Sequence, residues 1–294
     1  MIAAIPFPDI SPMVFSVQLG PFDLGLRWYA LGYIAGIFAG WALIRAAISR
    51  PALWPGDAPM NKAQLEVLVT WMALGIILGG RLGFVLFYQP GYYLSHPVDI
   101  LKVWQGGMSF HGGFAGVVLA ALAFCRKHGV SAWHMADLLA LAAPPGILMV
   151  RITNFINAEL WGRPTDVPWG VIFPDVAAQT CPGFAPPCAR HPSQLYEAGL
   201  EGLLLGALIL ILAFGLRATR RPGLLAGTFF LGYGLARFIV EFFRNPDAQF
   251  ISETNPDGHV FAGMTMGQLL STPMIAAGLI FLFLALRRSK GRAV

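Results

Sequence analysis

The chain has 294 residues, of which 56% are hydrophobic and 12% are charged, and its formal net charge is +5. An average soluble domain has about 25% charged residues, so the composition excludes an ordinary soluble protein and indicates one that crosses a membrane several times. The sequence contains no basic run interleaved with aromatic residues, so nothing suggests a nucleic-acid partner.

Seven stretches are apolar over about the 20 residues that a helix needs to cross a bilayer. We therefore predict an all-α polytopic membrane protein with seven transmembrane helices, in a single membrane domain over residues 1–294. The first 26 residues contain no Lys or Arg, so they lack the basic region of a cleaved signal peptide, and the first span is expected to direct insertion. The predicted spans are residues 24–46, 64–87, 108–125, 134–157, 194–216, 224–243 and 267–287.

The connections at residues 88–107, 158–193 and 244–266 are rich in Pro, Gly and aromatic residues. They emerge on one side of the membrane and are predicted to form a small cap there. Because cytoplasmic loops retain Lys and Arg, the cap side is predicted to be the outer one, with the N-terminus outside and the C-terminus inside. The opposite side has twelve Lys and Arg residues, at 45–62, 126–127, 217–221 and 287–292, against four in the cap connections.

Polar residues within the spans gather toward the predicted outer side. An intramembrane Arg costs about 2.5 to 3.5 kcal/mol on insertion scales, and scattered structural polar residues would have no reason to share one leaflet. The pattern therefore predicts a buried polar site in the outer half of the membrane. Its members are Tyr29, Arg81, His111, Arg151, Asn154, Glu197, Tyr233, Arg237, Glu241 and Gln268.

The sixth span, "GYGLARFIVEFFR", places Tyr233, Arg237, Glu241 and Arg244 at spacings of 4, 4 and 3 residues. At 3.6 residues per turn these side chains lie within an arc of about 80°, so one helix face presents them all. Arg237 and Glu241 at i, i+4 are alternatively a purely structural ion pair.

In the fourth span Arg151, Asn154 and Ala158 share one helix face. Asp137 lies near the same azimuth about four turns earlier, and we expect it to steady an arginine from below.

Simpler explanations exist for several of these residues. Arg81 could simply extend its side chain to the phosphates of outer-leaflet lipids. Trp28 could belong to the belt of aromatic residues at the membrane interface. His111 would fit a loop histidine that caps the third span. Asn154 and Asn157 could serve only to hydrogen-bond the free backbone groups where the fourth helix ends.

Several arginines with a histidine, tyrosines and carboxylates at the outer bilayer boundary suit an anionic lipid headgroup, because guanidinium binds phosphate bidentately and is always charged. The sequence has no HExxH motif, no Walker A loop and no metal-ligand spacing among its six histidines. A transporter of anionic lipids would need polar groups through both leaflets, often in repeated halves. A structural membrane protein would leave the one-sided cluster without a purpose.

Seven blocks of the chain, from residue 26 to residue 271, resemble the prolipoprotein diacylglyceryl transferase family in the family's own order. These blocks are "LRWYAL", "GGRLGFVLFY", "GGMSFHGG", "RITNFINAELWGR", "HPSQLYE", "GYGLARFIVEFFR" and "TMGQLLS". The resemblance implies a multi-pass enzyme of the bacterial inner membrane, with its active site toward the periplasmic leaflet and its cap in the periplasm. It also implies transfer of the diacylglyceryl group of phosphatidylglycerol to the lipobox cysteine of prolipoprotein signal peptides, the first step of lipoprotein maturation, with membrane lipids as partners and no metal or organic cofactor.

The same resemblance assigns roles to residues that match the family's blocks. Arg151 and Arg237 become phosphate stabilisers, with Asn154 and Tyr233 as hydrogen-bond partners. His111 matches a histidine for which a general-base role is proposed, although a strongly positive pocket would also favour the thiolate that attacks. The remaining predicted substrate-binding residues are Tyr29, Arg81, Glu159, Gly162, Glu197, Glu241 and Arg244.

The chain departs from the family's "GRIGNFINGE" pattern at Val150, Thr153 and Ala158. These changes bear on local helix packing, because the Arg, Asn and Glu positions are retained. Cys181 and Cys188 lie in the predicted outer loop. A disulfide between them is a hypothesis that an oxidising compartment would allow, and the sequence leaves it open.

Overall fold

The computed structural model describes residues 4–20, 22–181, 183, 184 and 186–290, and most of them are helical. The chain divides into two compact units, which are described separately below. Unit 1 comprises Met1–Leu43 and Asp137–Val294, and unit 2 comprises Ile44–Ala136.

Seven long helices correspond to the seven predicted spans. Five of them are long and apolar enough to cross a membrane, namely α1, α2, α5, α6 and α8. Helix α7 is apolar but shorter, at 17 residues, and α4 has 19. The helices of the described part of the chain are α1 (Trp28–Ile48), α2 (Lys62–Phe87), α3 (Pro90–Ser95), α4 (Phe110–His128), α5 (Ala132–Ile156), α6 (Ser193–Gly215), α7 (Leu224–Val240) and α8 (Met266–Lys290).

The predicted start of the first span, at residue 24, is wrong because α1 begins at Trp28. The residues before it form an antiparallel hairpin, in which Met13–Leu19 pairs with Phe22–Arg27. The short strands of the described residues are β1 (Ile5–Pro6), β2 (Met13–Leu19), β3 (Phe22–Arg27), β4 (Val171–Ile172), β5 (His259–Phe261) and β6 (Met264–Thr265). Strand β1 pairs with β4 in parallel, and β5 pairs with β6 antiparallel.

In unit 1, helix α1 presents a row of small residues to α5. A Cβ atom at Gly36 would lie 2.7 Å from the Cα of Gly146, and one at Gly32 would lie 2.7 Å from Thr153 Cγ2. Such small residues let helix backbones approach closely. The close packing brings the start of α1, with Tyr29, to the end of α5. Thr153, one of the departures from the family pattern, is accommodated by the glycine opposite it.

Among the described residues no arginine pairs with Asp137, so the prediction that Asp137 steadies an arginine is wrong. Its fully buried carboxylate accepts hydrogen bonds from the backbone N–H groups of Gly223 at 2.7 Å and Ala226 at 2.9 Å. The first N–H groups of a helix lack intrahelical partners, so Asp137 caps the N-terminus of α7 from another helix. The carboxylate also suits the positive end of the helix dipole.

Two connections of unit 1, residues 157–192 and 241–265, pair with each other, and we call them the loop layer. The backbone N–H of Gly162 donates to His191 O at 2.8 Å, and that of Arg163 donates to Phe243 O at 2.8 Å. A buried cluster of Val171, Phe173 and Ala178 anchors the layer, and Phe7, Phe155, Ala158 and Trp161 pack against it.

Arg190 ties the strands of the loop layer together. It is 3% exposed and donates to the carbonyl oxygens of Ala178, Thr180 and Gly162 at 2.5, 2.8 and 3.1 Å. Its guanidinium also lies 4.2 Å from the ring centroid of Trp161. Close by, Cys181 and Cys188 form a disulfide, the pairing that the sequence left open.

In unit 2, helices α2 and α4 pack through glycines. A Cβ atom at Gly79 would collide with the carbonyl oxygen of Gly112, and one at Gly112 would collide with that of Gly79. Leu65, Leu68 and Phe124 are nearly inaccessible and form the core of this unit.

Candidate active site

Three arginines and three glutamates meet in unit 1, and we call them the Arg–Glu cluster. Arg151 belongs to the last turns of α5, and Glu197 and Glu201 belong to the first turns of α6. Arg237 and Glu241 lie at the end of α7, with Arg244 just beyond it. Every charged position that the sequence predicted on these three helices near their cap-side ends is therefore brought together.

Glu197 is the centre of the cluster. One carboxylate oxygen lies 3.1 Å from Arg151 Nε, and the other lies 3.0 Å from Arg244 Nη1 and 3.9 Å from Arg237 Nη1. Its side chain is completely buried. A buried charge needs opposite charges and hydrogen bonds to persist. Glu197 has three guanidinium groups within 4 Å and accepts a hydrogen bond from that of Arg244.

Glu201 is a member of the cluster that the sequence analysis missed. Its side chain is also completely buried, and one of its oxygens lies 3.8 Å from Arg151 Nη2. Helix α6 is π-helical from Ala198 to Leu204, a local widening that often occurs at functional sites. The signal available in the sequence was the stretch "YEAGLE", with two carboxylates four residues apart at the start of an apolar helix.

Glu241 orients Arg237 from one helical turn further along. Arg237 donates from Nη1 to Glu241 Oε2, and Thr265 Oγ1 donates to the other oxygen at 2.9 Å. Thr265 and Gln268 form a capping box at the start of α8, because each accepts the backbone N–H of the other at 3.1 and 3.4 Å. The "TMGQ" block therefore fixes the carboxylate that holds Arg237.

The arginines and the glutamates of the cluster differ in exposure. The side chains of Arg151, Arg237 and Arg244 are 17%, 15% and 15% exposed, whereas those of Glu197 and Glu201 are 0% exposed and that of Glu241 is 7% exposed. A ligand that reaches the cluster therefore meets guanidinium groups, with the carboxylates behind them. Such an arrangement favours an anion.

Tyr233 lies one helical turn before Arg237 and is half-buried, with its ring stacked on Phe229 at 5.7 Å between centroids. It interacts electrostatically with Arg151, Arg237 and the buried glutamates. The four residues predicted from the "GYGLARFIVEFFR" block thus belong to one site.

A second group of polar side chains surrounds Glu159, just beyond the end of α5. Asn154 Nδ2 and Asn157 Nδ2 donate to Glu159 Oε1 at 2.7 and 3.3 Å, and Gln194 Nε2 donates to the Glu159 backbone oxygen at 2.5 Å. We call Asn154, Asn157 and Gln194 the amide group. Tyr29 also interacts with Asn154 and Glu159, and its hydroxyl lies 3.2 Å from that of Tyr33.

Gly162 lies where the two connections of the loop layer cross. A Cβ atom there would lie 2.6 Å from His191 O and would collide with Phe243 O. Gly162 also forms an antiparallel bridge with Arg244. The absence of a side chain therefore allows the backbone contact that holds Arg244 beside the cluster.

His191 supports this crossing with its side chain. The Tyr196 hydroxyl accepts a hydrogen bond from Trp169 Nε1 at 2.8 Å, so its own proton is directed at His191 Nδ1, 3.0 Å away. Burial lowers the pKa of His191, which is consistent with a neutral ring that accepts at Nδ1. No role for His191 was predicted from the sequence.

Arg81, in unit 2, donates all five of its N–H groups to backbone carbonyls of one loop. Nε donates to Ile100 O at 2.8 Å, Nη1 donates to the carbonyls of Gly106 and Gly107 at 2.6 and 3.2 Å, and Nη2 donates to those of Asp99 and Lys102 at 2.5 and 3.4 Å. The residue is 4% exposed. It is therefore not a side chain that extends to lipid phosphates, and it organises residues 99–107.

His111, also in unit 2, is exposed in the first turn of α4. The cap of this helix is Ser109, whose Oγ accepts the Gly112 N–H at 3.2 Å. The alternative in which His111 caps the helix is therefore wrong. Its predicted role as a general base stays a prediction.

The family model described as prolipoprotein diacylglyceryl transferase matches residues 12–284. Proteins named phosphatidylglycerol–prolipoprotein diacylglyceryl transferase from Cereibacter sphaeroides and Roseobacter denitrificans are each 59% identical to the chain, over 287 and 284 residues. These alignments cover 96% and 95% of the chain and 98% and 97% of the relatives.

A relative from Rhizobium leguminosarum with the same name is 47% identical over 292 residues, covering 98% of the chain and 96% of the relative. The matches therefore extend over nearly the whole length of both proteins. The chain belongs to the prolipoprotein diacylglyceryl transferase family.

Proposed function

We propose that the protein transfers the diacylglyceryl group of phosphatidylglycerol to the thiol of the lipobox cysteine in prolipoprotein signal peptides. The observation that carries the proposal is the Arg–Glu cluster, in which three partly exposed guanidinium groups lie in front of buried carboxylates. The family membership and the names of the relatives support the same reaction.

In the proposed reaction the cysteine sulfur attacks the glycerol carbon that carries the phosphate. A C–S bond forms, the C–O bond breaks, and its electron pair leaves with the oxygen of glycerol phosphate. The leaving group changes from a phosphodiester into a more anionic monoester, so negative charge grows on the phosphate in the transition state. Cations fixed where charge develops bind the transition state more strongly than the substrate.

Arg151 and Arg237 are the proposed phosphate stabilisers, because they come from two different helices and share Glu197 as an orienting partner. Arg244 adds a third cation to the same carboxylate. Asn154 and Tyr233 are proposed as hydrogen-bond partners of the lipid. Because the guanidinium groups are already held by Glu197, Glu201 and Glu241, little reorganisation is needed as the reaction proceeds.

The thiol must lose its proton, since the thiolate is the nucleophile. His111 is the proposed acceptor, and the alternative is the positive field of the arginines, which favours the thiolate without a base. The pH dependence of kcat/KM separates the two, because a His111→Gln variant loses an ionisation only if His111 takes the proton.

We further propose seven membrane spans in a single domain, with α4 and α7 crossing in addition to the five longer helices. The N-terminus would lie outside and the C-terminus inside a bacterial inner membrane, with the active site toward the periplasmic leaflet and the loop layer within a periplasmic cap. The distribution of Lys and Arg supports this orientation. An apolar signal peptide would then reach the site laterally from the bilayer.

The test is mass spectrometry of a synthetic lipobox peptide after incubation with the purified protein and phosphatidylglycerol. We expect a diacylglyceryl mass increment on the cysteine, with release of glycerol phosphate, and no increment on a peptide in which serine replaces the cysteine. If the folded, lipid-bound protein gave no increment, the transferase proposal would be rejected, and a lipid-flipping assay would test the transporter alternative.

A further inference from the structure

The amide group is oriented by its contacts with Glu159. Carboxylate and backbone carbonyl oxygens can only accept hydrogen bonds from these side chains, so Asn154, Asn157 and Gln194 must direct their NH₂ groups at them. Their carbonyl oxygens therefore turn away from Glu159. The orientation of each amide, in which oxygen and nitrogen are otherwise hard to tell apart, is therefore set by its hydrogen bond to Glu159.

These three carbonyl oxygens are buried, and none of the described residues donates a hydrogen bond to Asn154 Oδ1, Asn157 Oδ1 or Gln194 Oε1. Asn154 is 3% exposed and Gln194 is fully buried. Buried polar atoms in folded proteins nearly always have a partner. Three acceptors around one carboxylate therefore indicate a site for a ligand that supplies hydrogen-bond donors.

The amide group lies one helical turn beyond the Arg–Glu cluster. Arg151 on α5 pairs with Glu197 on α6. Asn154 is three residues later on α5 and Gln194 three residues earlier on α6, and both contact Glu159. At 1.5 Å per residue this step is about 4.5 Å on each helix, which is about the length of one glycerol unit.

We propose that the amide group recognises the hydroxyl groups of a polyol attached to the phosphate held by the Arg–Glu cluster. The inference rests on the proposed function and adds the residues that read the headgroup. Phosphate would bind at the level of Arg151, and the terminal hydroxyls would donate to the amide oxygens one turn further along. The amide group would thus determine specificity among phosphodiester lipids of equal charge.

The specificity follows from the cost of unsatisfied acceptors. A site built around a substrate hydroxyl rejects an analogue that lacks it, because the buried polar groups of the site are then left unpaired. Phosphatidyl-n-propanol has the same charge and the same number of headgroup carbons as phosphatidylglycerol but no headgroup hydroxyls. We expect the wild-type protein to prefer phosphatidylglycerol in kcat/KM by about a hundredfold, or about tenfold for each hydroxyl.

The experiment measures peptide modification from each lipid, with identical acyl chains, by the wild-type protein and three variants. Gln194→Met and Asn157→Ala remove acceptors, and each is expected to lower the preference about tenfold. Gln179→Met is the matched control, because Gln179 lies in the same loop layer with both ends paired, its Nε2 to Phe173 O at 2.8 Å and its Oε1 to Cys188 N at 3.1 Å. The Gln179→Met variant should prefer phosphatidylglycerol over phosphatidyl-n-propanol as strongly as the wild-type protein does.

Equal rates from the two lipids with the wild-type protein would overturn the inference while leaving the transferase proposal intact. A change of preference in Gln179→Met as large as in Gln194→Met would overturn it as well, since the effect would then not be specific to the amide group. If Gln194→Met does not fold, Asn157→Ala at its less buried position decides the question. Absence of modification from either lipid would instead reject the proposed function, and the inference with it.

Discussion

Arg151 Nε lies 3.1 Å from a carboxylate oxygen of Glu197, and this contact joins helix α5 to helix α6 inside the protein. The other oxygen of the same carboxylate holds Arg244 at 3.0 Å. One buried anion therefore fixes two cations from different segments. The stability of the protein and the geometry of its proposed phosphate site depend on the same residue.

Glu197→Gln should destabilise the protein strongly, because removal of one member of a buried ion pair leaves uncompensated charge and costs about 3–5 kcal/mol. Glu201→Gln is the matched control, since Glu201 is equally buried but its nearest cation is 3.8 Å away. Thermal unfolding in detergent should show a larger fall in Tm for Glu197→Gln. Equal falls would contradict the central position of Glu197.

Asp137→Ala should lower the free energy of unfolding by about 1–3 kcal/mol, because the first N–H groups of α7 lose a charged acceptor. Asp137→Asn should lose less, since it keeps one acceptor oxygen. Both variants, once folded, should retain transfer activity at low temperature. Loss of activity without loss of stability would instead support a role for Asp137 beside an arginine.

Ala158→Gly should raise the stability by roughly 0.5–1 kcal/mol. Ala158 has a φ of 54°, in the left-handed region that costs an L-residue about 1–2 kcal/mol. Glycine adopts this conformation freely. Part of the gain is lost because glycine makes the unfolded chain more flexible. The control is Ala140→Gly, in the middle of α5, which should lower the stability by roughly 0.5–1 kcal/mol. Opposite shifts in Tm are therefore expected, and parallel shifts would show that strain at Ala158 is relieved elsewhere.

Arg81→Lys should loosen residues 99–107, because an ammonium group offers three donors where the guanidinium uses five. Hydrogen exchange should become faster in this loop and stay unchanged in the core of α2. Lys102→Ala removes a partly exposed ion pair with Asp99 and serves as the control, with little expected effect. If hydrogen exchange of residues 99–107 were unchanged in Arg81→Lys, the conformation of this loop would not depend on the guanidinium group.

Much of this site follows from the sequence because charged residues stand out in apolar segments. Arg151, Arg237, Glu197 and Glu241 were predicted from their depth and helical spacing, and the structure joins them. Glu201 was missed, although its spacing from Glu197 gave the same kind of signal.

Contacts between a side chain and backbone groups far along the chain could not be predicted from the sequence. The carbonyls that bind Arg81 come from residues 18 to 26 positions later in the chain, and any residue type supplies a carbonyl. Asp137 likewise finds backbone N–H groups 86 and 89 positions away. The predicted first span includes residues 24–27 of strand β3, because these mostly apolar residues run directly into the helix.

The most direct test of the account is the kcat of Arg237→Ala with saturating phosphatidylglycerol and lipobox peptide. Arg126→Ala, at an exposed arginine in the last turn of α4, is the control and should match the wild-type protein. If Arg237 stabilises the charge that develops on the phosphate, kcat should fall by about 10²–10³ while the variant still folds and binds the lipid. A folded Arg237→Ala protein with kcat within twofold of the wild-type value would contradict the proposed role of the Arg–Glu cluster.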